Sequence, residues 1–408
     1  MNHFRYAILL SLLTLINSLL VAQSLYQFRG PDRTGIYPGE HLLRQWPAEG
    51  PPLLWQATGT GNGFSTPVSN GKLVYVAGEK DSTGYIFAFD NKGVLKWKKE
   101  TGREWTENFP GPRSTVTVVG DLLYYCSSMG KIICLDAANG ESKWVVDLLK
   151  DLHGINIRFG YTESLLVDGD VLFCSPGGPD TNIVAPNRLT GSLIWKSKAM
   201  GDSAAYCSPI LIHQGGKKIL TTLSIHHLLG IDASDGKLLW SQKIDRQGDI
   251  HCNVPWFEDG DLYINDRGGN GLLKLSLTAA GDSVKEVWRN FKAGNVQSGF
   301  IKLGNNLFGS RYRPARFESI DATTGQVADT LKFSVGSTIY ADGMFYCYGE
   351  DGTMGLISAD QGKLSLVSSF KITEGTNEHF AHPSIRDGVL YVRHGDVLMA
   401  FNIRRQEE

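Results

Sequence analysis

The stretch "GKIICLDAANGESKW" (130–144) combines a strand, a tight polar turn and a second strand that ends in Trp144. Apolar residues alternate through "KIICLD", which is the period of a strand with one buried face. The turn runs from Asp136 to Gly140, and glycine adopts the positive φ of such turns without steric cost. The stretch therefore predicts a β-hairpin whose closing strand carries a large aromatic side chain.

Similar hairpins recur along the chain, at 84–97, 181–195 and 226–240, with weaker copies at 315–329 and 352–366. Each is preceded by a glycine turn and an apolar strand, a pair that occurs eight times, from "NGKLVYV" (70–76) to "DGVLYV" (387–392). The period of roughly 40 to 50 residues is typical of four-stranded propeller blades. The tryptophans at the end of the hairpins are then structural, packed between blades.

The first and last copies are incomplete in complementary ways. "GPPLLWQATG" (50–59) is a tryptophan strand with no repeat before it, and the last repeat ends without such a strand. Pairing the two closes the ring and protects strand edges. We predict an all-β fold, an eight-bladed β-propeller with four-stranded antiparallel blades closed by an N-terminal strand. Seven blades are the alternative, because the fifth repeat is irregular around "LTAAGDSVKEVW" (277–288).

The amino-acid composition argues against some classes of function. The 408 residues include 40 Lys and Arg against 42 Asp and Glu, a net charge of −2. This balance argues against nucleic acid and polybasic membrane contacts as the main function. The many glycines and aromatic residues suit a turn-rich all-β protein, expected to be a monomer.

The chain begins with a cationic start and the uncharged apolar run "AILLSLLTLINSLLVA" (7–22), which is typical of a secretory signal peptide. We predict three parts: a signal peptide (1–22), an extended N-terminal segment (23–50) and the propeller (51–408). No cysteine follows the apolar run to carry a lipid, and no later run is long enough to span a bilayer. The expected location of the mature protein is the periplasm or the exterior.

The six cysteines do not have the spacing of a zinc framework, and no metal site is predicted. Cys126 and Cys134 flank one hairpin turn, so an exported protein permits a disulfide between them. Buried free thiols in strands are the favoured interpretation.

The repeats "LDAANGESKW" (135–144) and "IDASDGKLLW" (231–240), with "YQFRGPDRTGIYPGE" (26–40) ahead of the first blade, resemble the PQQ-like propeller family. Two groups in that family are the quinoprotein alcohol dehydrogenases, which bind pyrroloquinoline quinone (PQQ) with calcium, and the propeller lipoprotein of the outer-membrane barrel-assembly machinery, which binds protein. This chain has no adjacent cysteine pair like that of the dehydrogenases, and no cysteine to carry a lipid. The resemblance therefore implies the fold, and neither function carries over directly.

A binding site is expected where the long polar loops before each inner strand, and those between second and third strands, meet at one mouth of the channel. Guanidinium and aromatic groups there suit a carboxylate, a sugar or an acidic segment. The predicted ligand-binding residues are Arg113, Arg158, Tyr161, Tyr206, His251, Asn253, Trp256, Arg311, Arg313 and His379.

The favoured hypothesis is a non-catalytic binding or scaffold propeller of the bacterial cell envelope that recognises a protein or a glycan. The alternative, implied by the resemblance, is a PQQ-dependent alcohol or sugar dehydrogenase with calcium. In that alternative Glu163 or Glu378 would be the catalytic base, and Arg113 or Arg311 would hold the quinone oxygens.

Overall fold

A computed structural model describes residues 25–244, 250–266, 271–294 and 299–406. These residues form 33 short strands, and no helix among them is long and apolar enough to cross a membrane. The predicted signal peptide lies outside the described residues.

The strands of the first half are β1 (Leu25–Tyr26), β2 (Leu53–Ala57), β3 (Val68–Ser69), β4 (Leu73–Lys80), β5 (Thr83–Asp90), β6 (Leu95–Arg103), β7 (Thr117–Val119), β8 (Leu122–Cys126), β9 (Lys131–Asp136), β10 (Ser142–Asp147), β11 (Leu166–Asp168), β12 (Val171–Phe173), β13 (Ile183–Pro186), β14 (Leu193–Ser197), β15 (Ile210–Gln214), β16 (Lys217–Leu223), β17 (His227–Asp232) and β18 (Leu238–Lys243). Those of the second half are β19 (Trp256–Glu258), β20 (Asp261–Asp266), β21 (Gly271–Leu277), β22 (Val284–Asn290), β23 (Phe300–Leu303), β24 (Asn306–Arg311), β25 (Arg316–Asp321), β26 (Val327–Leu331), β27 (Gly336–Ala341), β28 (Met344–Gly349), β29 (Thr353–Asp360), β30 (Lys363–Lys371), β31 (Ser384–Arg386), β32 (Val389–His394) and β33 (Val397–Asn402).

Seven antiparallel sheets of four or more strands are complete blades. Blade 1 is β3–β6 and blade 2 is β7–β10, with β1 added at its inner edge. Blades 3 to 6 are β15–β18, β19–β22, β23–β26 and β27–β30. Blade 7 consists of β31–β33 and the N-terminal strand β2, whose Trp55 pairs with Ala400. Closure of the ring by an N-terminal strand is thus present as predicted.

The segment between blades 2 and 3 is interrupted. Strands β11–β12 and β13–β14 form two separate two-stranded sheets, joined only by isolated bridges such as Cys174 to Val184. The loop "SPGGPD" (175–180) cuts β12 to three residues, and Pro186 in β13 has no N–H to donate. The prediction of eight four-stranded blades is therefore wrong, and among the described residues the alternative count of seven complete blades holds.

Tryptophans of the outer strands pack onto the following unit. Trp97 of blade 1 donates a hydrogen bond from Nε1 to the carbonyl oxygen of Ala137 in blade 2, at 3.3 Å. Trp144 does the same to Arg188 of the interrupted unit, at 2.9 Å. The repeated Trp therefore couples neighbouring blades, and the hairpin "GKIICLDAANGESKW" is scaffold. All six cysteines are free thiols, and Cys126 pairs with Ile132 in the sheet rather than facing Cys134.

Candidate functional site

A cavity of about 280 Å³ opens at the centre of one face of the ring, and we call it the cup. Loops from nearly every unit line it, which follows from the way inner strands converge on the axis of a propeller. Its aromatic residues are Phe28, Phe64, Phe109, Phe159, Tyr206, Tyr312 and Phe380. The remaining lining residues are Arg113, Thr162, Ser164, Ser208, Ile250, Cys252, Glu350 and His382.

The aromatic rings of the cup form a connected chain around its wall. Ring centroids lie 5.5 Å apart between Phe64 and Phe380, and 5.7 Å between Phe380 and Phe109. The chain continues to Phe159 at 6.3 Å and to Tyr206 at 5.9 Å. Tilted contacts at these distances are favourable between aromatic rings, so the wall is apolar and mutually supported.

Arg113 lies at the edge of this wall with its guanidinium above the Phe64 ring, at 5.8 Å from the centroid. Its Nη atoms donate hydrogen bonds to the carbonyl oxygens of Asn108, Phe109 and Phe159, at 2.7 to 2.9 Å. Burial lowers the pKa of this guanidinium below its usual value, although nearby carboxylates oppose the shift. Arg113 therefore holds the loop that carries Phe109, and its Nη donors are already engaged.

A belt of side-chain hydroxyls links neighbouring units just below the aromatic wall. The amide of Thr66 donates to Thr115 Oγ1 at 3.0 Å, and the amide of Thr115 donates to Ser164 Oγ at 3.0 Å. The amide of Ser164 in turn donates to Ser208 Oγ at 2.9 Å. These bonds satisfy buried backbone donors where the inner strands begin, and they fix the spacing of the loops above them.

The N-terminal segment closes the channel beneath the cup. Arg29, which is 2% exposed, donates to the carbonyl oxygen of Phe300 at 2.8 Å. Arg33, also 2% exposed, donates to the carbonyl oxygens of Ser164 and Leu165 on the other side of the ring. Phe28, between Gln27 and Arg29, contacts His382 with ring centroids 5.1 Å apart. The cup is consequently a blind cavity with a floor supplied by residues near the start of the described chain.

Glu163 lies behind the cup wall, between the lining residues Thr162 and Ser164. The residue is 3% exposed, and Oε2 accepts a hydrogen bond from the Ser175 amide at 2.9 Å. Oε1 has no hydrogen-bond partner among the described residues. Burial raises the pKa of Glu163 to about 8, while the bond from Ser175 and the charge of Arg33 act in the opposite direction.

The structure places the other predicted binding residues in several environments. Tyr161 is buried and donates from its hydroxyl to the Pro176 carbonyl oxygen at 2.6 Å. His251 is buried beside the Ile225 carbonyl oxygen, at 3.0 Å from Nε2. Asn253 accepts from the Gly299 amide and donates to the Asn265 carbonyl oxygen, both at 2.8 Å. Trp256 packs in the core 6.3 Å from Phe300.

The remaining predicted residues surround the rim. Arg158 is exposed above Phe159, at 4.9 Å from the ring centroid, and Arg313 is exposed above Tyr312 at 5.3 Å. Arg311 forms an ion pair with the buried Glu318 at 3.2 Å. His379 and Glu378 are half-buried, next to Phe380 in the loop before β31. Of the ten predicted ligand-binding residues, the cup itself includes Arg113 and Tyr206.

Comparison with known proteins was made on sequence and on structure. The sequence model of the family described as outer membrane protein assembly factor BamB matches residues 82–331, more than half of the chain. The chain belongs to the PQQ-like propeller family. A comparison with curated proteins finds no match for this PQQ-like propeller.

Solved structures with the same fold include BamB from Moraxella catarrhalis, with a TM-score of 0.60 and 14% identity over 87% of this chain and 98% of that one. A computationally designed protein named Ika8 gives a TM-score of 0.62 at 11% identity, over 87% of this chain and all of the other. A europium-containing methanol dehydrogenase gives 0.66 at 13% identity, over 91% and 90%. At these identities the similarity establishes the propeller fold alone.

The described residues of this PQQ-like propeller do not fit PQQ with calcium. A quinone with three carboxylates needs free cationic donors in the pocket, and the Nη groups of Arg113 are bound to loop carbonyls. Arg311 is paired with Glu318, while Arg158 and Arg313 are not among the lining residues. Within the described residues, no group of three or more His, Cys, Asp or Glu is placed to hold a metal ion.

The phenylalanines that form most of the aromatic wall of the cup were not predicted from the sequence. Phe64, Phe109, Phe159 and Phe380 each lie one to five residues before a serine that begins an inner strand or precedes it by two or three residues. This recurring Phe ahead of Ser is the sequence signal that identifies them. The prediction of binding residues considered mainly charged and polar side chains in the loops. Loops that converge in a ring also bury apolar side chains against one another.

Proposed function

We propose that this protein is an exported, non-catalytic binding propeller of the cell envelope, and that its ligand is an apolar side chain of another protein held in the cup. The observation that carries the proposal is the blind cavity with a connected aromatic wall. Concave, mostly apolar pockets with few polar groups are the usual form of a binding site.

Three of the hydroxyl groups that line the cup favour a protein side chain over a glycan. Thr162 Oγ1 donates to the Tyr206 carbonyl oxygen at 2.9 Å, and the hydroxyls of Ser164 and Ser208 accept backbone amides in the belt. A sugar needs many hydrogen-bond partners, and leaving its hydroxyls unpaired in the cup would cost binding energy. An aromatic or aliphatic side chain needs no hydrogen-bond partner in the cup.

The size of the cup agrees with this choice. An apolar cavity of about 150 Å³ in a protein core holds one benzene ring. The cup is about 280 Å³, enough for one large aromatic side chain with part of the neighbouring residue. The exposed aromatic Phe109 at its rim, 40% accessible, offers further contact for the flanking backbone.

The family match and the N-terminal sequence support a location in the cell envelope and a protein partner. The matching family is described as an outer membrane assembly factor, a description that points to the cell envelope and to protein partners. Residues 1–22 have the composition of a signal peptide that directs export. The aromatic wall, rather than the family description, supports the cup as the binding site.

The test is selection of ten-residue peptides from a random displayed library on the immobilised mature protein, followed by calorimetric titration of the selected sequences. We expect peptides that share an aromatic residue and lose at least tenfold in affinity on a Phe159→Ala, Phe380→Ala double variant. The matched control is Phe291→Ala, which removes a 53% exposed phenylalanine outside the cup.

Two outcomes would overturn the proposal. Peptides that bind the double variant as well as the original protein would place recognition elsewhere. A rise in melting temperature with PQQ and calcium, or cup-dependent binding of an oligosaccharide series, would assign the cup to a quinone or a glycan, since a ligand of the native state raises its stability.

A further inference from the structure

His394, at the end of β32, lies beneath the loop 373–383 that brings Phe380 and His382 to the cup. Its side chain is nearly buried, with the residue 6% exposed. Nδ1 is 2.7 Å from the Glu374 carbonyl oxygen, and Nε2 is 2.8 Å from the Asn377 carbonyl oxygen. Both ring nitrogens therefore face an acceptor at hydrogen-bond distance.

A neutral imidazole has one N–H and one lone pair, so it can donate to only one of two carbonyl oxygens. The other nitrogen would then direct its lone pair at an oxygen, which is repulsive. Only the doubly protonated ring donates from both nitrogens, and such charge-assisted bonds are stronger than neutral ones. We infer that His394 is held as an imidazolium cation, and that its two hydrogen bonds position the loop 373–383 at the wall of the cup.

The environment of His379, the neighbouring ring, is consistent with one positive charge on the His379–His394 pair. His379 stacks on His394 with centroids 3.6 Å apart and an interplanar angle of 16°. Its Nδ1 is 2.6 Å from the hydroxyl of Tyr348. Burial, together with the charge of His394, lowers the pKa of His379 to about 4, so His379 is neutral at ordinary pH.

The ionisable groups around the pair come from every element packed against it. They are Tyr348 on β28, Asp351 in the turn after β28, Lys371 on β30, Glu374 and Glu378 in the loop, Arg393 on β32 and Asp396 in the turn after β32. Lys371 is paired with Asp351 at 3.1 Å, and Arg393 donates to the Ser65 hydroxyl at 2.8 Å. Asp396 accepts from the Thr376 hydroxyl at 3.1 Å, which places a negative charge on the loop side of the cation.

The loop has further hydrogen bonds among the described residues, including one from the Ser337 hydroxyl to the Ala381 carbonyl oxygen at 3.4 Å. Asn377 donates from its side chain to Asn62 Oδ1 at 2.8 Å, and Thr376 bonds to Asp396 as above. Gly375, with a φ of 103°, passes so close to the His394 backbone that a side chain there would collide with it. Loss of the His394 proton would remove one of the two bonds to the loop backbone. We expect the loop to be less tightly held when this bond is lost.

The first measurement is the ¹⁵N NMR spectrum of the histidine rings in the intact mature protein at pH 6. We expect His394 to show two protonated nitrogens of similar shift, assigned by their loss in His394→Gln. This measurement needs no ligand, so it does not depend on the proposed function. Only the expected effect of the loop on the cup rests on the proposed function. A neutral tautomer, with widely separated shifts, would overturn the inference.

The second measurement is amide hydrogen exchange of residues 373–379, corrected for intrinsic pH dependence. We expect His394→Gln to exchange at least tenfold faster at pH 6, and His394→Arg, a permanent cation with two donors, to restore protection. His213→Gln, at an exposed histidine on β15, is the matched control. Unchanged exchange in His394→Gln would show that the charge does not position the loop.

Discussion

Arg33 donates a hydrogen bond from Nη1 to the carbonyl oxygen of Ser164, at 2.7 Å, across 131 positions of the chain. Ser164 is also a member of the hydroxyl belt and a lining residue of the cup. One buried guanidinium thus supports the floor and the wall of the cup together. Burial lowers the pKa of Arg33 to about 10, with the charge of Glu163 acting against that shift.

Arg33→Ala should lower the free energy of unfolding by about 3 kcal/mol or more, since it leaves several buried acceptors without their charged donor. Urea denaturation measures the change. Arg405→Ala, at an exposed arginine near the C-terminus, should stay within about 0.5 kcal/mol of the original protein. A loss below 1 kcal/mol for Arg33→Ala would show that the N-terminal segment is not a stabilising floor.

Glu163 should make stability fall as pH rises. Its pKa of about 8 in the folded protein exceeds the ordinary value of 4.5, so between these values the folded state binds the extra proton. The cost of ionising the buried carboxyl is close to zero below pH 4.5 and grows to about 4 kcal/mol by pH 8. Glu163→Gln should flatten the slope of unfolding free energy in this window.

The comparison is made by urea denaturation at five pH values from 5 to 9. Glu107→Gln, at an exposed glutamate in the loop after β6, is the control and should keep the original slope. If Glu163→Gln has the same pH dependence as the original protein, the carboxyl is not buried in its protonated form.

Gly140 tests the coupling of blades by tryptophan. It has a φ of 74°, and a Cβ there would lie 2.7 Å from Cε3 of Trp97. Gly216 has a φ of 72° with nothing within 4 Å of such a Cβ, so it reports backbone strain alone. Gly140→Ala should cost about 1 to 3 kcal/mol more than Gly216→Ala, through overpacking. Equal losses in thermal or urea unfolding would mean that the Trp97 contact contributes nothing.

We predict that Arg113 affects ligand binding in the cup indirectly, by holding the loop that carries Phe109. Arg113→Lys keeps the charge but cannot donate to three separate carbonyl oxygens in the same fork. We expect amide exchange of residues 105–111 to rise about tenfold, and affinity for a selected peptide to fall in parallel. Arg158→Lys, at the exposed arginine above Phe159, is the control. Lost affinity with unchanged exchange would mean that Arg113 contacts the ligand directly.

The sequence predicts the β-hairpins, the structural tryptophans and the N-terminal closing strand because each depends on local alternation and on turn chemistry. Asp136 shows this: its carboxylate accepts the amides of Ala138 and Asn139 within the turn, as the pattern indicates. The number of complete blades was not predictable in the same way. It depends on whether β12 and β13 pair along their length, and a proline and glycine-rich loop decides that in three dimensions.

The convergence of the long loops was predictable from the sequence, whereas the side chains that line the cup were predictable only in part. Long loops before the inner strands do converge on the cup, which includes Arg113 and Tyr206. Which side chains turn inward depends on contacts across the ring, such as that of Phe109 with Phe380, and no local pattern specifies them. The role of Arg29 and Arg33 in the floor of the cup could not be predicted either, because their acceptors are backbone carbonyl oxygens far along the chain.

The pairing of β2 with β33 sets the order of events in folding. During synthesis Trp55 emerges well before its partner Ala400, which lies 345 residues further along the chain. Contacts so distant in sequence form slowly, and an unpaired strand edge is open to association with other chains until they do. Strand β2 is therefore unpaired while the residues between it and β33 are synthesised, and its edge is open to other chains during that delay.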